Sequence, residues 1–215
     1  MAASTFVKLN VLQSVFVITA FILMWMADLR CNFIQFTSTS GTSDPITLNF
    51  GIWYYQFWSV VKSVDGTFLL ESCHRYPDYV TFDGSWKAAR TFCALTFFFS
   101  LFALIAALFV ACSASQSGKV TYTWEAPVYL LAALFQGLTL LLLSSNACKD
   151  NALVGELDAI ISHVTFPDTC SLGPGGKLSI SSMAFFFAAS VTSFFAHKLE
   201  EAEWVPASMT APLNV

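Results

Sequence analysis

Long apolar runs alternate with polar stretches along this chain. Residues 9–27, 91–112, 127–145 and 178–197 form four such runs, each about as long as an α-helix needs to cross a bilayer. Residues 30–88, between the first two runs, are polar, mixed and strand-like. Residues 113–123 make a short polar connection, and residues 146–177 separate the last two runs. Residues 198–215 form a tail with Glu200, Glu201 and Glu203, expected to be flexible. The pattern predicts one four-span domain over residues 1–215.

The polar positions inside the runs are few. Asn10 and Gln13 lie three apart and share one helix face. Hydrogen bonding between helices is the expected role, with a ligand contact as the alternative. A cleaved leader ending at Ala27 would place bulky Trp25 where a small residue is wanted, so this run reads as a permanent span. In the second run Ala103, Ala107 and Ala111 make a small-residue ridge that lets another helix approach closely. Pro127 suits a first helical turn. Ala133 and Gly137 form a small-xxx-small pair, with Gln136 between them. A polar residue at that depth is either a functional group or interhelical glue, and glue is the expected role. Tyr122, Trp124 and Tyr129 fit an interfacial belt, with Glu125 expected at the headgroup level rather than in the core. Acidic residues avoid the four runs, which argues against proton-coupled transport.

The long loop reads as a small antiparallel sheet. Ile46-Thr47-Leu48-Asn49-Phe50 alternates apolar and polar, the period of a half-buried strand. Trp53-Tyr54-Tyr55-Gln56-Phe57-Trp58 is aromatic and favours a strand. Asp65-Gly66 marks a hairpin, with residues 67–73 as the returning strand. The aromatics are expected both in a sheet core and against headgroups. In the second loop, Gly173-Pro174-Gly175-Gly176 reads as a turn. The glycines lack the other residues of a phosphate-cradling loop.

Composition changes the picture in two ways. The chain is 56% hydrophobic and 11% charged, against about 25% charged in soluble domains. A soluble helical domain is therefore the lesser alternative. The net charge of −4 leaves no basic footprint for nucleic acid. Cys31, Cys73, Cys148 and Cys170 all fall in the two loops on one side, which an oxidising compartment explains. Those loops are thus placed outside and both termini in the cytosol. The plasma membrane is the expected location, with an organelle membrane as the alternative. Four loop cysteines allow three pairings. One bridge within each loop, Cys31–Cys73 and Cys148–Cys170, is favoured over free thiols, while Cys93 and Cys112 lie in the second run. The fold class expected is a membrane all-α four-helix bundle with a small extracellular antiparallel β-sheet in the first outer loop.

No motif demands catalysis, and no cofactor or metal is expected. Cys-x-x-Cys and His-Glu-x-x-His are absent. His74, His163 and His197 are far apart, and His197 ends a span as an interface residue. Cys73-His74 on a strand would point to opposite faces, so an activated thiolate is disfavoured.

The order of parts resembles the claudin, peripheral-myelin-protein-22 and stargazin-like superfamily. Gly51, Ile52 and Trp53 match its Gly-Leu-Trp tripeptide, with Ile for Leu. Cys73 matches its second loop cysteine, and Lys87-Ala88-Ala89-Arg90 resembles the Gln-Ala-Ala-Arg entry to its second helix. The family's first cysteine comes four residues after the Trp, where this chain has Phe57, and Cys31 is the substitute partner expected for Cys73. The specific motifs cover about forty residues, from Gly51 to Arg90. A tetraspanin fits less well, because its large loop follows the third span. The resemblance implies a left-handed bundle with an outer sheet whose edge pairs with neighbours. It also implies a non-enzymatic role in lateral assembly, adhesion or barrier formation, with the lipid bilayer and itself or another membrane protein as partners. The alternatives are an auxiliary subunit of a channel, transporter or larger complex, and an enzyme or carrier using Gln136 or the loop thiols. Leu213-Asn214-Val215 is a candidate PDZ-binding terminus.

Overall fold

The computed structural model describes residues 2–38, 46–63, 66–113, 124–160 and 165–204. Among them the α-helices are α1 (Ala2–Asp28), α2 (Gly84–Ser113), α3 (Glu125–Leu138), α4 (Asn146–Lys149), α5 (Ala152–Ile160) and α6 (Pro174–Trp204). A 3-10 segment, Thr139–Ser144, prolongs α3. Five strands are β1 (Ile34–Thr37), β2 (Thr47–Phe50), β3 (Tyr54–Ser63), β4 (Gly66–Arg75) and β5 (Ser171–Leu172). Among the described residues four helical segments are long and apolar enough to cross a membrane: Lys8–Asp28, Gly84–Phe109, Glu125–Ser144 and Pro174–Lys198.

Each of the four buries a seam with spacings of three and four residues. In α1 the seam is Gln13, Val17, Ala20, Met24 and Ala27; in α2 it is Ala89, Cys93, Thr96, Ser100, Ala103 and Ala107. Glu125, Tyr129, Ala132, Gln136 and Thr139 make the third, and Ser179, Ser182, Phe186, Ala189, Ser193 and Ala196 the fourth. This is the repeat that lets nearly parallel helices interlock along their length. The buried residues are mostly small or polar. The large apolar side chains point outward: Phe98, Phe102, Phe109, Leu134, Phe187 and Phe195 are all more than half exposed. Water would drive those rings inward, whereas hydrocarbon does not, so the bundle is built for an apolar surround.

Helix limits depart from the sequence pattern for local reasons. Helix α2 begins at Gly84, not at 91, because Asp83 supplies a cap: its Oδ1 accepts from Trp86 N at 2.9 Å. The same carboxylate takes Asn146 N on Oδ2 at 3.1 Å, joining the two loops. The expected Gly-Pro-Gly-Gly turn is a helix start. Only Gly173 lies outside α6, and Pro174 opens it, where a missing N–H costs nothing. The glycines serve close approach instead. Gly173 N donates to Phe33 O and Gly175 N to Asn32 O, both at 2.9 Å; an added Cβ on Gly173 would strike the Asn32 carbonyl, and one on Gly175 would stand 2.9 Å from the Asn32 side-chain Oδ1 and 3.1 Å from its carbonyl. Helix α6 runs on past Lys198 to Trp204, where a flexible tail was expected.

These five strands form one sheet in the order β4-β3-β2-β1-β5, with every neighbouring pair antiparallel. The expected second and third strands are present as β2 and β3, and Ser63↔Gly66 closes the hairpin that Asp65-Gly66 announced. Strands β1 and β5 were not expected; β5 brings the second loop into the first loop's sheet. Ile34 and Phe36 of β1 and Leu48 and Phe50 of β2 face inward. They join Trp86, Leu142 and Ala147 in one core that caps the bundle.

Candidate functional site

The residues that carry the family resemblance meet at one place. Gly51 and Ile52 lie in the bend between β2 and β3, and Arg90 lies on the second turn of α2. Two donors converge on the Ile52 carbonyl: Arg90 Nε at 3.0 Å and Trp86 Nε1 at 3.3 Å. Tyr76 donates its hydroxyl to Gly51 O at 2.8 Å. Burial pushes the Tyr76 hydroxyl's ionisation well above its ordinary range, so it remains a neutral donor. The Arg90 guanidinium sits 3.7 Å from the Phe82 ring centre and 5.2 Å from that of Trp53. Such cation–π contacts contribute about 0.5–2 kcal/mol, more as water is excluded. The sheet is thereby clasped to the second helix.

Gly51 makes the bend feasible. Gly51 N donates to Tyr54 O at 2.7 Å, and a Cβ here would collide with the Arg30 carbonyl and stand 2.9 Å from Tyr54 O. All are backbone atoms that cannot step aside. Gly51→Ala is expected to lower stability by about 1–3 kcal/mol, read as a lower thermal midpoint of the purified protein.

Two buried polar clusters pin the helices together. Near the sheet, Gln136 Nε2 donates to Asp28 Oδ1 at 3.2 Å and to Ser179 Oγ at 2.8 Å, and Thr139 Oγ1 lies 3.1 Å from Ser179 Oγ. At the other end, Gln13 Nε2 donates to Glu125 Oε2 at 2.7 Å and to the Tyr129 hydroxyl at 3.0 Å. The expectation that acidic residues avoid the spans is therefore corrected twice. Asp28 and Glu125 are each 3% exposed, so both carboxyls lie inside the helix bundle, Glu125 at the start of α3. Tyr129 is also fully buried and leaves the expected interfacial belt. Trp124 stays half exposed, and Tyr122 lies outside the described residues.

These arrangements place Gln136 and Gln13 as links between helices. Replacing Gln136 by Leu removes the amide donor from a buried carboxyl. The expected loss is about 1–3 kcal/mol, again read from the thermal midpoint. Asn10 is buried on the same face as Gln13. Ser14 Oγ donates to Ala107 O at 3.3 Å, so α1 passes close to the Ala103–Ala107 ridge. The Ala111 and Cys112 side chains lie outside the described residues. A Cβ on Gly137 would meet Met183 Sδ at 2.9 Å, showing how near α6 comes to the Ala133–Gly137 pair.

The structure holds both favoured disulfides, Cys31–Cys73 and Cys148–Cys170. Phe57, at the family's first cysteine position, pairs with Ser72, whereas Cys73 pairs with Gln56 and bonds to Cys31. The thiol once paired with His74 in sequence is thus consumed. His74 Nε2 is 2.8 Å from Ser72 Oγ, and His163 lies outside the described residues. Cys93 is a buried free thiol that accepts from Trp53 Nε1 at 3.2 Å. Among the described residues no group of His, Cys, Asp and Glu has the spacing to hold a metal ion.

Sequence reasoning missed Asp28, Tyr129, Thr139 and Ser179 as members of these clusters. The available signal was the seam itself: polar residues recurring at three- and four-residue steps through apolar helices. Comparison with models of protein families and with curated proteins finds no match.

Proposed function

We propose that this chain is a claudin-like integral membrane protein that acts without catalysis, through lateral assembly, adhesion or barrier formation. The observation that carries the reading is the clasp of Arg90 and Trp86 on Ile52 O beside Trp53. Ile52 and Trp53, which the resemblance singled out, share one joint between sheet and helix with Arg90, which it also singled out, 38 positions after Ile52. The sheet also ends in β4, a ten-residue strand with no neighbour on its far side among the described residues. An open edge of that length is a template for a strand of another chain. In this reading the disulfide-bearing sheet faces the cell exterior and both termini face the cytosol, at the plasma membrane. Leu213–Val215 lies outside the described residues and is offered as a PDZ ligand on its sequence alone.

The test is cross-linking in intact cells that express two differently tagged copies. Homomeric products containing both tags are expected at native density. A strictly monomeric chain sinks the assembly reading. A stoichiometric larger partner, with no self-association, moves the protein to the auxiliary-subunit class.

A further inference from the structure

Two cavities meet where α1 and α2 reach the sheet. One, of about 450 Å³, is lined by Arg75 and Arg90 with Tyr54, Tyr76 and Phe82. The other, of about 330 Å³, lies along α1 and α2 and is lined mostly by apolar side chains, among them Met24, Trp25, Ala94, Phe97 and Phe98, with Asp28 also in its wall. Leu29 and Trp53 belong to both and form a common wall. A cationic compartment at the sheet thus adjoins an apolar one toward the middle of the bundle. Phe98 lies eight residues beyond Arg90, about 12 Å down the helix.

We propose that the paired cavities seat one anionic lipid, with its phosphate on Arg90 and Arg75 and one acyl chain in the α1–α2 groove. Arg90 has donors to spare. Among the described residues its Nε donates to Ile52 O, its guanidinium lies over the Phe82 and Trp53 rings, and no carboxylate pairs with it. A guanidinium fork matches a phosphate in both charge and geometry. Choline is a poor occupant, because the Phe82 face that could hold a quaternary cation already carries Arg90 at 3.7 Å. The lower groove suits a chain rather than a compact ligand. Trp25 and Phe98 are 46% and 59% exposed beside it, so it opens along the lipid-facing side of the bundle. The order of head and tail follows the order of polar and apolar layers in a bilayer. A lipid seated here needs no second copy of the chain.

The experiment is calorimetric titration of the full chain in non-ionic detergent with oleoyl lysophosphatidate, oleoyl lysophosphatidylcholine and inorganic phosphate. Lysophosphatidate is expected to bind roughly tenfold tighter than the choline lipid and roughly a hundredfold tighter than phosphate. Arg75 and Ala94 are both exposed, so Arg75→Gln and Ala94→Trp should leave the thermal midpoint unchanged. Each should weaken lysophosphatidate binding by roughly tenfold, one through the head and the other by filling the groove. Equal binding of the two lysolipids would overturn the anionic head site. Phosphate binding as tightly as lysophosphatidate, or no effect of Ala94→Trp in the folded protein, would overturn the acyl groove.

Discussion

Trp86→Ala is expected to lower stability by about 3–5 kcal/mol, the range for emptying a buried indole site. Trp86 is 1% exposed and lies in the first turn of α2, directly under the sheet. Its ring meets Tyr76 and Phe82 edge to face, with centres 4.8 and 4.6 Å away. Its Nε1–H is one of the two donors on Ile52 O. Truncation would therefore remove packing from both rings and half of the clasp together. Backbone neighbours fixed by β2 and α2 cannot collapse into the gap. The measurement is the thermal midpoint of purified protein, with the folded fraction by size-exclusion chromatography. Trp86→Phe, which keeps most of the ring volume and loses the donor, should cost only about 0.5–1.5 kcal/mol. Phe102→Ala, at a ring 62% exposed on the outer face of the bundle, should change stability by no more than about 0.5 kcal/mol. Equal effects of Trp86→Ala and Phe102→Ala would mean that the sheet is not seated on α2.

Removal of the Cys31–Cys73 bridge by the double change Cys31→Ser and Cys73→Ser should cost about 4 kcal/mol on the chain-entropy account. The bridge closes a separation of 42 residues, against 22 for Cys148–Cys170, so its loss should be the larger of the two. It also ties the segment after α1 to β4, the outermost strand. Without it, the β3–β4 hairpin relies, among the described residues, on its pairing with β2 and on the contacts of Tyr76 just beyond β4. Thermal midpoints of the two double variants, measured without reductant, give the comparison directly. Peptide mapping of the native protein without reductant should recover both bridges. Reduced loop thiols would reverse the assignment of the sheet end to an oxidising side.

The spans were legible because length and hydropathy are local properties of sequence. Four runs near bilayer length became four helices, and alternation in residues 46–50 became a strand. The ends were less legible. Asp83 starts α2 early by capping it, and Asp83 looks like any loop aspartate until Trp86 N and Asn146 N stand beside its two oxygens. Glycines 173, 175 and 176 imitate a turn, because in sequence a glycine needed for close packing looks the same as one needed for a bend. The Asn32 carbonyl that explains Gly173 lies 141 positions earlier in the chain.

What the sequence determined by itself is the number of apolar segments, the sheet in the long loop, and the set of loop cysteines. Each follows from composition and period within a short window. What only the tertiary structure decided is which face of each helix turns inward. In α1 and α2 the outward face is strongly apolar and the inward one mixes small, polar and apolar residues, so a hydrophobic stripe does not mark the inside. The choice is made by fit: small residues let backbones approach, and Gln13 and Gln136 meet their carboxyl partners, Glu125 and Asp28, across a helix–helix contact. The joining of Ile52, Trp86 and Arg90 was decided in the same way, because a carbonyl and its two donors meet only after sheet and helix have packed.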